Sequence, residues 1–271
     1  MDWADELAAS VSGPQVVNDS KTPSGTVHVG SLRGPVILDV IVRALRRAGV
    51  ATTLLYGIDD MDPMDAQALL TPDAVDHEMG RPLAHVPDQA ADGHASYARH
   101  HAQTFIDIFD GLGVHPDRYY WMSDIYPTGE LDGFIRTALD RAAAVREIYR
   151  RVANVQHPAD WHPIQVVCPN CGKIGTTIVT RWDGERVFFE CREQLVTWAR
   201  GCATSGWISP FGGNGSSAGT SSGRPSGRCS GSRSSRAART SRRRVGRAIE
   251  PTRSPARSSS ASRRSTSRTS S

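Results

Sequence analysis

Lysine is almost missing from this 271-residue chain: of 32 basic residues only Lys21 and Lys173 are lysines, so chemistry that needs a lysine-rich loop is excluded. Long apolar runs are missing as well. The longest, Val36 to Val42, is interrupted by Asp39 and falls far short of the roughly 20 residues a transmembrane helix needs. The opening stretch MDWADELAASVSG carries acids where a secretory signal has a basic start, and no apolar core follows it, so no signal peptide is read there. The expected setting is cytoplasmic, without a membrane partner. In that compartment the five cysteines stay reduced, which favours metal ligation or plain burial over disulfides. No internal repeat is present, and the length allows one or two domains with a sizeable core.

Charge is distributed unevenly. Residues 216–271 hold 19 Ser and 14 Arg but no Lys, Leu or aromatic residue and a single acid, Glu250. Such a segment cannot build a core and reads as a disordered tail. It carries a net +13, so the total of +4 leaves −9 for residues 1–215. The chain is an acidic body with a basic tail, and its positive field is confined to that tail.

The body alternates short strands with long helices. Gln15 to Val17 and Thr52 to Tyr56 read as buried strands; between them Leu32 to Arg47 has the spacing of a helix buried on much of its surface. A second helix is expected over Ser96 to Leu112, a strand over RYYWMS, and a third helix over about Leu131 to Val152. Its apolar stripe runs through Leu131, Phe134, Ile135, Ala138, Leu139, Ala142, Val145, Tyr149 and Val152. This order implies an α/β fold with a parallel sheet and right-handed crossovers. Beyond Trp161 the texture becomes β-rich and cysteine-bearing.

Between the first strand and first helix lies TPSGTVHVGS. Open parallel sheets bind ligands at the carboxyl ends of their strands, and the helix start offers unpaired N–H groups to phosphate. Gly25 and Gly30 let the backbone approach a ligand, and His28 can donate to phosphate oxygens as charge develops; an ordinary loop histidine is the plain alternative. DDMDPMD follows the second strand, so Asp59, Asp60 and Asp62 emerge at the same sheet edge, either to hold ammonium or ribose groups or as a solvated turn. Cys168 and Cys171 form a CxxC knuckle, with Cys191 and Cys202 at separations that a pair of hairpins could close. Four thiolates suit a closed structural zinc site; four buried reduced thiols are the alternative.

PSGTVHVGSLRG resembles the HIGH-type ATP motif of class I aminoacyl-tRNA synthetases, written here as His28, Val29, Gly30 and Ser31. The wider series NDSKTPSGTVHVGSLRGPVILDVI, YGIDDMDPMD, CPNCGKIGTTIVTRWDG, ARGC and SPFGGNG is similar to the class I form of lysyl-tRNA synthetase over residues 10 to 215. The resemblance implies a Rossmann-like catalytic half over 1–160, a zinc-bearing β-rich segment over 161–215 and the tail over 216–271. It also implies lysine, ATP with Mg²⁺, and tRNA(Lys) as substrates and partners. His28, Gly30 and Ser31 would be catalytic; Pro23, Ser24, Gly25, His28 and Gly30 would hold ATP; Ser20 and Thr22, with Asp59, Asp60 and Asp62, would face the amino acid. Ser31 stands where many relatives have histidine or asparagine, and Ala203 and Thr204 stand where relatives often carry glycine and histidine, leaving Cys202 itself as the ligand. His94 and His100 resemble ligands of a second zinc found in some members, but Gly93 replaces their cysteine and that site is expected to be lost.

The departures concern what lies beyond Gly215. Class I synthetases carry a second ATP loop of KMSKS type and a helical anticodon-reading domain; neither has a counterpart in the tail. Arg, Ser, Ala, Gly, Pro and Thr are the residues a GC-rich gene yields in a shifted frame, so the tail is read as a frameshift product and weak or no aminoacylation is expected of this chain. Two rivals stand beside that reading: a non-catalytic RNA-binding module acting through the Arg/Ser tail, and a nonfunctional remnant.

Overall fold

The computed structural model describes residues 3–66, 70–90 and 92–212; the Ser/Arg segment lies outside the described residues. A short helix, α1 (Trp3–Ser10), precedes β1 (Gln15–Lys21), which leads through a 3₁₀ turn (Val29–Leu32) into α2 (Arg33–Arg47) and then β2 (Thr52–Ile58). After α3 (Val75–Glu78) and α4 (Tyr97–Leu112) comes β3 (Arg118–Trp121), followed by α5 (Met122–Ile125), α6 (Asp132–Asp140) and α7 (Ala142–Ile148). The three strands form a parallel sheet in the order β1-β2-β3. β2, the central strand, is the most buried, with Tyr56, Gly57 and Ile58 enclosed. Tyr56 packs against Phe105 and Phe109 of α4, with ring centroids 5.7 and 4.9 Å apart, and this cluster fastens α4 to the sheet. α1 packs Ala4 and Ala8 against Ala44 and Leu45 of α2.

α2 is less buried than its spacing suggests. Val42, Ala44 and Leu45 are enclosed, but Val36, Ile37 and Val40 are exposed, as is Val16 on β1. A strongly apolar helix exceeds the single stripe that α1 and a three-stranded sheet can cover. The helix expected over Leu131 to Val152 is also divided. Arg141, with φ −107° and ψ 23°, separates α6 from α7, and a π turn (Tyr149–Ala153) ends at Asn154 with φ 53°. The break turns Leu139 and Ala142 inward while Phe134 and Val152 remain 75% and 83% exposed. The strand read from RYYWMS stops at Trp121 because Met122 and Ser123 open α5.

The last described part is an antiparallel sheet of β4 (Thr177–Trp182), β5 (Val187–Cys191) and β6 (Ser205–Ile208). Its inner face joins Val166, Val179, Val187 and Phe189 with Leu139 of α6. Pairing shifts between Val179 and Arg181, leaving Thr180 as an extra residue. That bulge inverts the alternation: Val179 points to the core, Arg181 outward, and Trp182 back to the core side, where its Nε1 donates to Asp140 at 2.7 Å.

Candidate functional site

The parallel register pairs Ser20 with Gly57 and Lys21 with Ile58, so the segments that follow β1 and β2 leave the sheet side by side. Asp59 N–H donates to Lys21 carbonyl at 3.0 Å. Ser20 hydroxyl donates to Asp59 Oδ2 at 2.9 Å, and Thr22 hydroxyl donates to Asp62 Oδ2. Four of the five residues expected to face the amino acid therefore meet as two hydroxyl–carboxylate pairs.

Asp60 stands apart. It is wholly enclosed, accepting from Ser123 N–H at 2.8 Å and from the Ser123 hydroxyl. Burial pushes its carboxyl above the usual range, against the pull of those hydrogen bonds and of Arg99. Asp60 is thus a strut between the end of β2 and the start of α5, and the expectation that it lies at the open edge is corrected.

The loop after β1 is held from beneath. Pro23 is buried, the Tyr97 hydroxyl donates to Ser24 carbonyl at 3.0 Å, and Lys21 lies over the Phe105 ring at 5.8 Å. Burial, with Asp65, pushes the Tyr97 hydroxyl up to about 12, so it stays a donor. Gly25, with φ 156°, lies at the edge of the left-handed range. His28 is extended and exposed, and its carbonyl accepts from Ser31 N–H at 2.9 Å as the 3₁₀ turn begins. A Cβ added at Gly30 would come within 3.0 Å of His28 Cε1 and Nδ1. The glycine therefore keeps room for the imidazole at the mouth of the turn. α2 begins at Arg33, five residues after His28, because the 3₁₀ turn over Val29–Leu32, which contains Gly30, comes first.

Tyr126, which carried no signal in the sequence, belongs to the same edge: burial raises its hydroxyl, and Asp59 and Asp62 raise it further. Gly212 returns to this place. Its N–H donates to Asp132 Oδ1 at 3.1 Å, and an added Cβ would collide with the Tyr126 carbonyl.

The four cysteines converge. All four Sγ atoms lie within 4.8 Å of one another, with Cys168 to Cys202 at 3.6 Å and Cys171 to Cys191 at 3.7 Å. A tetrahedral site with metal–sulfur bonds near 2.3 Å has sulfur–sulfur edges of roughly 3.8 Å, so the donor set fits a single closed metal site. The knuckle closes through Gly172, φ 73°, whose N–H donates to Cys168 carbonyl at 2.8 Å. Burial raises Cys168 and Cys171. Cys202, against the effect of burial, is drawn down to about 6 by hydrogen bonds from Asn170 and Thr204. Ala203 follows with φ 59°, a left-handed position that suits glycine.

Lys173, buried and equally silent in the sequence, donates to the carbonyls of Asp76 at 2.8 Å and Arg200 at 3.1 Å. Ile174 and Gly175 both donate to Gly80 carbonyl, Gly80 donates to Met64 carbonyl, and Leu83 donates to Asp62 carbonyl. The knuckle is thus wired to the loop that carries the acids.

The second cluster is looser. His100 Nδ1 lies 2.8 Å from Asp92 and 3.6 Å from Asp88, and His94 Nε2 lies 3.7 Å from Asp92. Asp92, His94 and His100 offer three donor atoms within 4.8 Å. Gly93, with φ 97°, supplies no fourth.

The family model described as "tRNA synthetases class I (K)" matches residues 1–215. A lysine–tRNA ligase of Methanosarcina barkeri (strain Fusaro / DSM 804) is 33% identical over 216 residues, covering 79% of this chain and 38% of that relative. One from Archaeoglobus fulgidus is 33% identical over 196 residues, covering 70% of this chain and 39% of its own length. Among solved structures, an arginyl-tRNA synthetase of Thermus thermophilus is 21% identical with a TM-score of 0.28, covering 65% of this chain and 32% of that one. The chain spans under two fifths of the length of these curated relatives.

Proposed function

The chain belongs to the class I tRNA synthetases (K), and from that premise we propose that it is the amino-acid- and ATP-binding portion of a lysine–tRNA ligase. In that reaction a lysine carboxylate oxygen attacks the α-phosphorus of ATP, the bond to the β-phosphate breaks and pyrophosphate leaves; a hydroxyl at the 3′ end of tRNA(Lys) then attacks the lysyl carbonyl and AMP departs. The observation that carries the reading is the β1–β2 register, which sets the His28 loop and the Ser20–Asp59 and Thr22–Asp62 pairs at one sheet edge.

In this reading Pro23, Ser24 and Gly25 shape the ATP seat, and Ser31 takes the place of a hydrogen-bonding relative. His28, kept free by Gly30, donates to phosphate oxygens as negative charge accumulates on the departing pyrophosphate. The carboxylates of Asp59 and Asp62 neutralise the substrate's ammonium groups, with Tyr126 beside them. Asp60 acts at one remove, by positioning. We assign zinc to the four cysteines as a structural ion that holds the knuckle closed, and Mg²⁺ accompanies ATP. Residues 1–160 are taken as the catalytic half and 161–215 as the metal-bearing segment.

The test is binding of a nonhydrolysable lysyl-adenylate analogue by calorimetry. The parent should bind, and His28→Ala, whose partner is the pyrophosphate that the analogue lacks, should leave that affinity within about twofold while weakening ATP, measured in parallel, by about tenfold, the loss of one charge-assisted contact. A folded parent that ignores the analogue would overturn the proposal. A second reading, RNA binding without catalysis, is favoured by the 14 Arg of residues 216–271. It predicts RNA affinity that collapses with added salt and with removal of that segment.

A further inference from the structure

A cavity of about 370 Å³ lies between the π turn after α7, the segment 161–165 and the start of β4, and shares no residue with the edge that carries His28. Such a volume holds a small molecule. Its walls are fastened without any ligand. Arg146 of α7 donates to the Trp161 carbonyl at 2.7 Å, and His162 N–H donates to the Val179 carbonyl at 3.2 Å. His157 stacks flat on one face of Trp161 with centroids 3.9 Å apart, and Tyr149 meets Trp161 edge to face at 5.7 Å. Tyr149, which opens the π turn, is 43% exposed and Gln165 is exposed, so the cavity opens to solvent; Ile164, Ile178 and Leu195 supply apolar lining. A π turn at the end of a helix is itself a frequent mark of a functional site.

The hydrogen-bonding groups of the lining select a ligand class. His162 Nδ1 lies 2.9 Å from the Asp160 carbonyl, which can only accept, so Nδ1 carries the hydrogen and the neutral imidazole is left with Nε2 as an acceptor. Gln165 Nε2 donates to the carbonyls of Ile174 at 3.4 Å and Thr177 at 3.3 Å. Those two carbonyls fix the direction of the amide and leave Oε1 as a second acceptor. Trp161 Nε1 is a donor, and the Tyr149 hydroxyl takes either role. None of these remaining atoms has a hydrogen-bond partner among the described residues, whereas the Thr177 hydroxyl is engaged by the carbonyls of Val166 and Ile174. No Asp, Glu, Lys or Arg lines the cavity, so nothing there compensates a ligand's ammonium or carboxylate.

We propose that this cavity binds a small molecule carrying an uncharged carboxamide on a planar apolar ring. The amide N–H groups meet the two fixed acceptors, the amide carbonyl accepts from Trp161 or Tyr149, and the ring lies among Ile164, Ile178 and Leu195. A void left by imperfect packing would be lined by apolar atoms alone, and this one is walled by unpartnered donors and acceptors. The inference goes beyond the ligase reading and does not rest on it, since no lining residue belongs to the His28 loop or to the hydroxyl–carboxylate pairs.

The test titrates the full chain, by ligand-observed magnetic resonance, with three probes that share one ring. Benzamide carries the carboxamide, methyl benzoate keeps a carbonyl but has no N–H, and benzamidine has N–H groups with a positive charge. Benzamide should bind with a dissociation constant of about 1 mM, ordinary for a fragment of its size, and each of the other two at least about fivefold more weakly. Gln165→Leu and His162→Phe should each weaken benzamide by about fivefold, the loss of one hydrogen bond. Leu195→Trp, which fills the space, should abolish binding. No binding of benzamide at its solubility limit, equal or tighter binding of either other probe, unchanged affinity in both polar variants, or unchanged affinity in Leu195→Trp would overturn the proposal. Thermal melting reports folding; if Leu195→Trp or His162→Phe is unstable, Gln165→Leu, at an exposed position, decides with the three probes. Affinity for the lysyl-adenylate analogue should stay the same in all variants, which separates failure here from failure of the ligase reading.

Discussion

Replacing Asp60 separates a structural carboxylate from a substrate-binding one. Asp60→Ala removes the acceptor for Ser123 N–H, 2.8 Å away, and for the Ser123 hydroxyl. A buried donor left without a partner costs about 1–3 kcal/mol, and the hydroxyl, free to rotate, adds less, so a loss of about 2–4 kcal/mol is expected. Asp60→Asn keeps an oxygen for the N–H and offers its amide to the hydroxyl, which can accept, and should stay within about 1 kcal/mol of the parent at neutral pH. The pH dependence has a definite sign. Burial raises Asp60 above the ordinary carboxylate value, so its contribution is fully present below that value and is lost as pH rises through the raised one. The asparagine variant lacks this dependence. The parent's advantage over it should therefore be greatest in acid and shrink upward through that window, read as urea midpoints across a pH series. An asparagine variant as unstable as the alanine one, or a parent–asparagine gap that is flat with pH, would refute the reasoning.

Other outcomes follow from the cysteine segment. Cys171→Ser should abolish stoichiometric zinc, measured by elemental analysis, and should remove amide-exchange protection from β4–β6 before β1–β3; retained zinc would show that the cluster is not the ligand set. Gly201→Ala should destabilise by at least about 2 kcal/mol, because its Cβ would meet the Arg192 carbonyl oxygen at 2.2 Å. Ala203→Gly should stabilise by about 1 kcal/mol by relieving a φ of 59°; denaturant midpoints check both.

The sequence exposed the parts of this molecule whose signals are local. The glycine–histidine turn, the acids after the second strand and the CxxC knuckle each combine residue type with spacing, and β1, α2, β2 and α4 follow from apolar periodicity. What stayed hidden depends on distant partners. Nothing near Tyr126 in the chain announces Asp59 and Asp62, and a lone lysine at 173 gives no hint that two carbonyls from other segments enclose it. A period-two reading of residues 177–182 fails at Thr180, since a bulge is a property of pairing with β5 and not of either strand alone. The division at Arg141 was invisible for a similar reason: the apolar stripe continues in sequence while the backbone turns to seat Leu139 against the second sheet.

The hydrogen bonds that run from Ile174 and Gly175 to Gly80 and on to Met64 make the thiolate cluster a stay rather than an appendage. A ship's stay fixes the mast without touching the sail. In the same way the backbone beside the four sulfurs braces the loop in which Asp62 stands, so a chelator or an oxidant acting on the cysteines should loosen the Thr22–Asp62 pair before it unfolds the parallel sheet.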